Sequence, residues 1–194
     1  MHKHYVNYLR EFGYLPPDAE ESLLHRIQLE NISRSKVLLN PGEICRHLIF
    51  VKSGYFRIFE STADTSKTID IVGPHKHLYI AESYLTQDSS ALGIECIYDA
   101  EIVSLSFHEW NALLHFSNDY AQVIFKALLA ENDFYRKQLA ISGKGVAKQR
   151  YLLLKDRYPQ IDLCIRQNYI ADLLNISAIH LSRIKKEVLL KRSG

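Results

Sequence analysis

The sequence predicts an α+β protein: an antiparallel β-roll with flanking helices, then a long helix, then a small basic helical module. Three observations predict it. Apolar spacing changes from helical to strand-like at Val37 and returns to helical near Asn118. The stretch from Asn118 to Ile141 contains neither Gly nor Pro. Charge is divided unevenly, residues 1–141 carrying 13 Lys+Arg against 18 Asp+Glu, a net of −5, and residues 142–194 carrying 11 against 4, a net of +7.

The first 35 residues read as helical. Tyr5, Tyr8, Leu9 and Phe12 share one face, and Pro16-Pro17-Asp18 opens a second helix through Leu23, Leu24 and Ile27. From Val37 to Phe107 the chain becomes short runs rich in Ile, Val, Phe and Tyr, divided by Asn40-Pro41-Gly42, Ser53-Gly54, Asp64, Gly73-Pro74, Gly93 and Asp99. Ile94, Cys96 and Tyr98 fall on one face of a strand, and Val103, Leu105 and Phe107 on one face of the next.

In the long helix Tyr120, Ala127, Phe134 and Ile141 recur every seven residues, with Val123 and Ala130 between them. That seam is expected to face a second subunit. Ala121, Phe125, Leu128, Tyr135 and Leu139 form another apolar face, suited to the chain's own β-domain. Ser142-Gly143-Lys144-Gly145 reads as a hinge. The expected division is therefore 1–117, 118–141 and 142–194.

A composition of 47% hydrophobic and 24% charged residues supports a packed core. The opening Met1-His2-Lys3-His4-Tyr5 has no apolar signal region, and no apolar run approaches the ~20 residues that cross a bilayer, so a cytoplasmic location without membrane contact is expected. The three cysteines, Cys45, Cys96 and Cys164, form neither a disulfide framework nor a CxxC pair and read as reduced thiols. An acidic body with a basic tail is the footprint of a fused nucleic-acid-binding module, because neutralised phosphates supply most non-specific affinity.

The most informative segment runs from Arg166 to Lys186. Ile170, Leu174, Leu181 and Ile184 suit a small shared core, and Ala171 is short enough to let two helices cross closely. Asn175 falls at the turn, where a left-handed backbone is needed, and Ser177 is placed to cap the second helix. This segment resembles the winged helix-turn-helix of the Crp/Fnr regulators. Ala147-Lys148-Gln149-Arg150-Tyr151 with Tyr158-Pro159 resembles the start of that DNA-binding domain. Leu39-Asn40-Pro41-Gly42-Glu43 and Leu48 through Ile58 resemble the family's effector-binding roll, a cyclic nucleotide-binding-like jelly roll. The chain departs from the family at Asn175, usually Gly, and at Ala178 and Ile179, where well-known members carry charged base-reading residues.

The resemblance implies a homodimer on a near-palindromic duplex, with RNA polymerase as a further candidate partner. Arg183 is the expected base reader through guanine O6 and N7, and Ile179 is suited to a thymine methyl. Gln167, Ser177, His180 and Lys186 are expected at phosphates, with Ala178 and Ser182 on the same DNA-facing surface. For an effector, Tyr79, Ala81, Glu82, Ser89 and Ser90 occupy the positions of the family's cyclic-nucleotide pocket. Residues 77–125 contain no Lys or Arg, so no local cation matches a cyclic phosphate, and tight cyclic AMP binding is not expected. No cofactor, metal or catalytic residue is predicted: clustered Cys ligands for an iron-sulfur centre are missing, although nine histidines leave a haem ligand open. The alternative is a cupin-like metal enzyme using His75, His77 and Glu82, which lacks a second motif and leaves the basic tail unexplained.

Overall fold

A computed structural model describes residues 3–62, 65–141 and 145–190. Helix α1, Lys3–Arg10, buries Tyr5, Val6, Tyr8 and Leu9 on one face. Pro17 starts α2, Pro17–Arg26, in the first turn, where its missing N–H costs nothing. Strand β1, Gln28–Ile32, follows directly, inside the region that spacing assigns to helix. Only Ile32 of this strand is buried, so it carries no two-residue alternation. Pairing decides it: β1 runs antiparallel to β6, from Gln28 opposite Ser104 to Ile32 opposite Ala100.

Two long strands organise the roll. They are β3, His47–Ser61, and β6, Leu92–Ser106, which pair antiparallel along nearly their whole length. Their register shifts repeatedly between Val51 and Phe56, where the ladder bends. Gly54 sits in this bend at φ +89°, against the backbone of Asp99 and Ala100. On one side of it β1 and β5, Lys76–Leu78, extend the ladder; on the other side β2, Val37–Leu39, and β4, Ser66–Val72, do so. Asp99 therefore bends one strand rather than separating two. Phe107 leaves the sheet to begin α4, Phe107–Phe116, capped by Ser106, whose Oγ accepts from the Glu109 N–H.

Side chains from both halves of the roll meet α1, α2 and α4 in one core that includes Phe50, Phe56, Leu78, Ile94, Cys96 and Leu105. Helix α3, Ala81–Thr86, buries Tyr84 against Phe107 and Trp110, and α5, Asn118–Ala140, packs on α1 and α4. No disulfide links the cysteines; Cys45 and Cys96 are buried, and burial pushes the Cys96 thiol up to about 11. Of the hinge residues, Ser142, Gly143 and Lys144 lie outside the described residues, and Gly145 begins α6, Val146–Arg157, at φ +77°.

A second core joins the C-terminal helices to the outside of the roll. Tyr151 and Leu154 of α6, Tyr158 at its C-cap and Ile161 of α7, Ile161–Cys164, pack with Tyr55, Ile71 and Ile97 of the sheet. All six strands of the described residues lie between Gln28 and Ser106. The wing expected from the resemblance thus has no counterpart among the described residues.

Candidate nucleic-acid interface

Helices α8, Gln167–Leu174, and α9, Ala178–Leu190, form a helix-turn-helix around buried Ile170, Leu174, Leu181 and Ile184, with Ala171 at the close approach. Asn175 adopts φ 54°, ψ 47°, the left-handed conformation that Asn tolerates better than most residues. The Ile176 N–H returns to the Ala171 carbonyl at 3.0 Å and the Asn175 N–H to that of Asp172 at 2.9 Å, which satisfies the orphan carbonyls of α8. Ser177 Oγ then accepts from the His180 N–H at 3.2 Å and caps α9.

Ile179, Arg183 and Lys186 project along one exposed face of α9, beside exposed His180. Ser177 and Gln167 are exposed at the helix starts, and Ala178 and Ser182 are half-buried at the edge of that face. Lys185, by contrast, points inward. Its Nζ meets Asp162 Oδ1 at 2.7 Å, while Asp162 Oδ2 accepts from Tyr151 at 2.6 Å and meets Lys155 at 3.0 Å. Burial alone would push the Asp162 carboxyl up, but Lys185, Tyr151 and Lys155 outweigh it and hold it below its ordinary value. This node locks α9 to α6 and α7.

The module is also fastened to the roll. Arg57 on β3 donates from Nε to Glu95 at 2.7 Å and lies between the rings of Phe59, at 4.6 Å, and Tyr169 of α8, at 4.8 Å. Lys67 Nζ donates to Asn175 Oδ1 at 3.3 Å, and the Gly73 N–H to the Tyr158 hydroxyl at 3.1 Å. None of these links between roll and module was visible in the sequence, because they join residues about a hundred positions apart.

The effector positions only partly converge. Glu82, Ser89 and Ser90 line a cavity of about 280 Å³ with Ser83, Thr86 and Asp88. Tyr79 instead packs edge-on against Tyr84, and Ala81 is exposed. Ser90 Oγ is turned to the Leu92 backbone, and Ser83 Oγ donates to the Asp88 carbonyl at 2.6 Å. The charged lining is two carboxylates, Glu82 and Asp88.

His77 is not a free ligand. Its side chain is wholly buried, with Nδ1 on Glu131 Oε1 at 2.9 Å and Nε2 on the Tyr5 hydroxyl at 3.1 Å, while Tyr8 also donates to Glu131 at 2.6 Å. Among the described residues no group of three or more His, Cys, Asp or Glu side chains could hold a metal ion. The set His75, His77 and Glu82 therefore does not assemble, and the cupin alternative gains no support.

The long helix requires a correction. Tyr120, Val123 and Ala127 are buried in the chain's own core, where they can offer no area to a second subunit. Phe134 packs beneath the Arg157 guanidinium at 4.0 Å; Ala130 is exposed and Ile141 half-buried. The other face carries the open apolar surface, with Phe125 at 49% and Leu139 at 79% exposure. Part of that face still contacts the chain itself, as spacing suggested: Leu128 packs against the core, Phe125 lies edge-on to Trp110 and the Tyr135 hydroxyl donates to Asp70 of β4 at 2.5 Å.

No family model matches the chain, and no curated protein matches it. Solved structures do. FixK2 from Bradyrhizobium japonicum superposes with a TM-score of 0.68 at 15% identity, covering 85% of each chain. A putative transcriptional regulator of the Crp/Fnr family from Eubacterium rectale gives 0.65 at 16% identity over 95% of this chain and 88% of that one. The catabolite activator protein of Thermus thermophilus gives 0.52 at 19% identity over 95% and 87%. Roll, long helix and helix-turn-helix, in this order along one chain, have the fold of the Crp/Fnr regulators.

Proposed function

We propose that this chain is a DNA-binding transcription regulator of the Crp/Fnr kind, without enzymatic activity, acting as a cytoplasmic homodimer. Residues 1–117 serve as the effector-type roll, 118–141 as the dimer helix and 142–194 as the DNA-binding domain. The observation that carries this reading is the capped helix-turn-helix that leaves Ile179, Arg183 and Lys186 open on one face of α9 in a basic C-terminal segment. Such a face fits the major groove, and a two-fold assembly favours half-sites about 34 Å apart on a near-palindrome. No helix of the described residues is long and apolar enough to cross a membrane.

Arg183 reads a guanine, while Gln167, Ser177, His180 and Lys186 hold phosphates. Arg183→Ala is expected to relax specificity at one base pair per half-site, at about 1–3 kcal/mol of discrimination, with α9 still folded. Selection of bound fragments from genomic DNA checks this. An unchanged base preference in the variant refutes the role, and a chain that ignores duplex DNA in dilute buffer refutes the function.

The roll does not answer to cyclic AMP. A buried phosphate facing Glu82 and Asp88 without a cation is unfavourable. Titration calorimetry should give no binding heat at micromolar cyclic AMP; a micromolar Kd overturns the statement.

A further inference from the structure

We propose that the cleft where the roll, α5 and the C-terminal helices meet binds a small apolar monocarboxylic acid, its carboxylate held by Arg150 and Gln138. This goes beyond the DNA-binding reading above and does not depend on it. The cleft holds about 410 Å³. Small-molecule sites typically span about 300–1,000 Å³ and favour the junctions between domains. The walls are apolar: Ile58 of β3, Ile69 of β4 and Leu92 of β6 come from the sheet, Phe134 of α5 and Leu173 of α8 from the helices. Ile69 and, from α5, Leu139 are left 40% and 79% exposed, and an apolar body seated in the cleft takes such surface out of water. An occupant would touch β4, α5, α6 and α8 at once.

The polar groups decide which head group fits. Asp70 is engaged on both oxygens: Oδ2 accepts from the Tyr135 hydroxyl at 2.5 Å and Oδ1 from the Ile71 N–H at 2.8 Å. Arg150 differs. Its Nε donates to the Gln138 carbonyl at 3.2 Å, which ties the guanidinium to the end of α5. Among the described residues its two other nitrogens make neither an ion pair nor a hydrogen bond, and the Gln138 side-chain amide likewise has no partner. Both side chains are half-buried and both line the cleft. A carboxylate supplies the counter-ion that this guanidinium lacks, through charge-assisted hydrogen bonds from Arg150 and a further one from the Gln138 amide. A cationic head would meet Arg150 as a like charge and be repelled.

Fluorescence titration of the full chain with anilinonaphthalene sulfonate tests this, since that probe joins an aromatic body to a single anion. Saturable enhancement is expected, with octanoate displacing the probe and octylamine leaving it bound. Arg150→Gln should weaken the sulfonate probe about tenfold, the worth of one hydrogen bond to a charged group, and leave the uncharged phenylnaphthylamine bound as before. Ile69→Trp fills the cleft from an exposed position on β4 and should abolish binding of both probes at an unchanged urea midpoint. Arg46→Gln, at the separate cavity beside β2 and β3, should change neither. Sulfonate binding that survives Ile69→Trp, or that falls with Arg46→Gln, overturns the proposal. Equal weakening of both probes by Arg150→Gln overturns it as well, because the head group would then not be read by charge. A chain that sediments as a dimer and binds no probe has the cleft covered by its second copy, which also overturns the proposal. Probe binding that depends on Arg150 in a chain that ignores duplex DNA supports this inference and defeats only the DNA-binding reading.

Discussion

Glu131→Ala should destabilise the chain by about 2–5 kcal/mol, since each buried donor left without a partner costs about 1–3 kcal/mol. The carboxylate accepts from the Tyr8 hydroxyl, from the His77 ring and from the His77 backbone N–H, and its side chain is only 10% exposed. Deleting it orphans three donors inside the core. Glu131→Gln keeps one acceptor oxygen and should cost less. Urea unfolding with unchanged slope measures both variants, and a midpoint unmoved by the alanine substitution contradicts the account.

The same carboxylate makes stability pH-dependent. Burial alone would raise its pKa, but the hydrogen bonds from His77 and Tyr8 outweigh burial and hold it below the usual glutamate range. A folded-state value below the unfolded value of about 4.3 means that the contribution is complete above that pH and fades as pH falls through it toward the folded value. The stability gap between the unsubstituted chain and Glu131→Gln should therefore narrow in acid below about pH 4.

Gly54→Ala is expected to cost about 3 kcal/mol or more, combining left-handed strain with overpacking. At φ +89° an added Cβ would lie 2.4 Å from Ala100 Cβ and 2.5 Å from both Ala100 Cα and Asp99 O. Backbone cannot yield as a flexible side chain can. Gly42 separates the two contributions: it has φ +93°, but a methyl group added there would meet nothing within 4 Å, so Gly42→Ala should cost only about 1 kcal/mol. Equal urea midpoints for the two variants would show that the bend tolerates the methyl group.

The helix-turn-helix was the most legible part of the chain because its signals are local. Asn175, Ser177 and the Ile170–Ile184 set each act within a few residues of the turn, and the backbone at Asn175 is left-handed as its identity demands. Elements that depend on distant partners were harder to read. Strand β1 is set by pairing with β6, about seventy positions away, and Asp99, a turn former, is carried inside a continuous strand. Helix α4 had a usable local signal, the Ser106-Phe107-His108-Glu109 capping pattern, hidden behind the apolar alternation before it. On α5 spacing assigned the Tyr120 stripe to a partner, yet Tyr120, Val123 and Ala127 are buried by distant elements that spacing does not reveal. His77 looked like a metal ligand only while Tyr5 and Glu131 were out of view.

The clasp at Arg57 bears on the DNA contact proposed above. With its guanidinium fixed by Glu95 and stacked on Tyr169, and with Lys67 holding the turn at Asn175, α8 and α9 are held on the roll at a set angle. If α9 reads a duplex as proposed, little rotational freedom is left to surrender on docking, so more of the contact energy survives as affinity. Strand β4 thereby becomes a lever: displacing it would swing α9 relative to the roll.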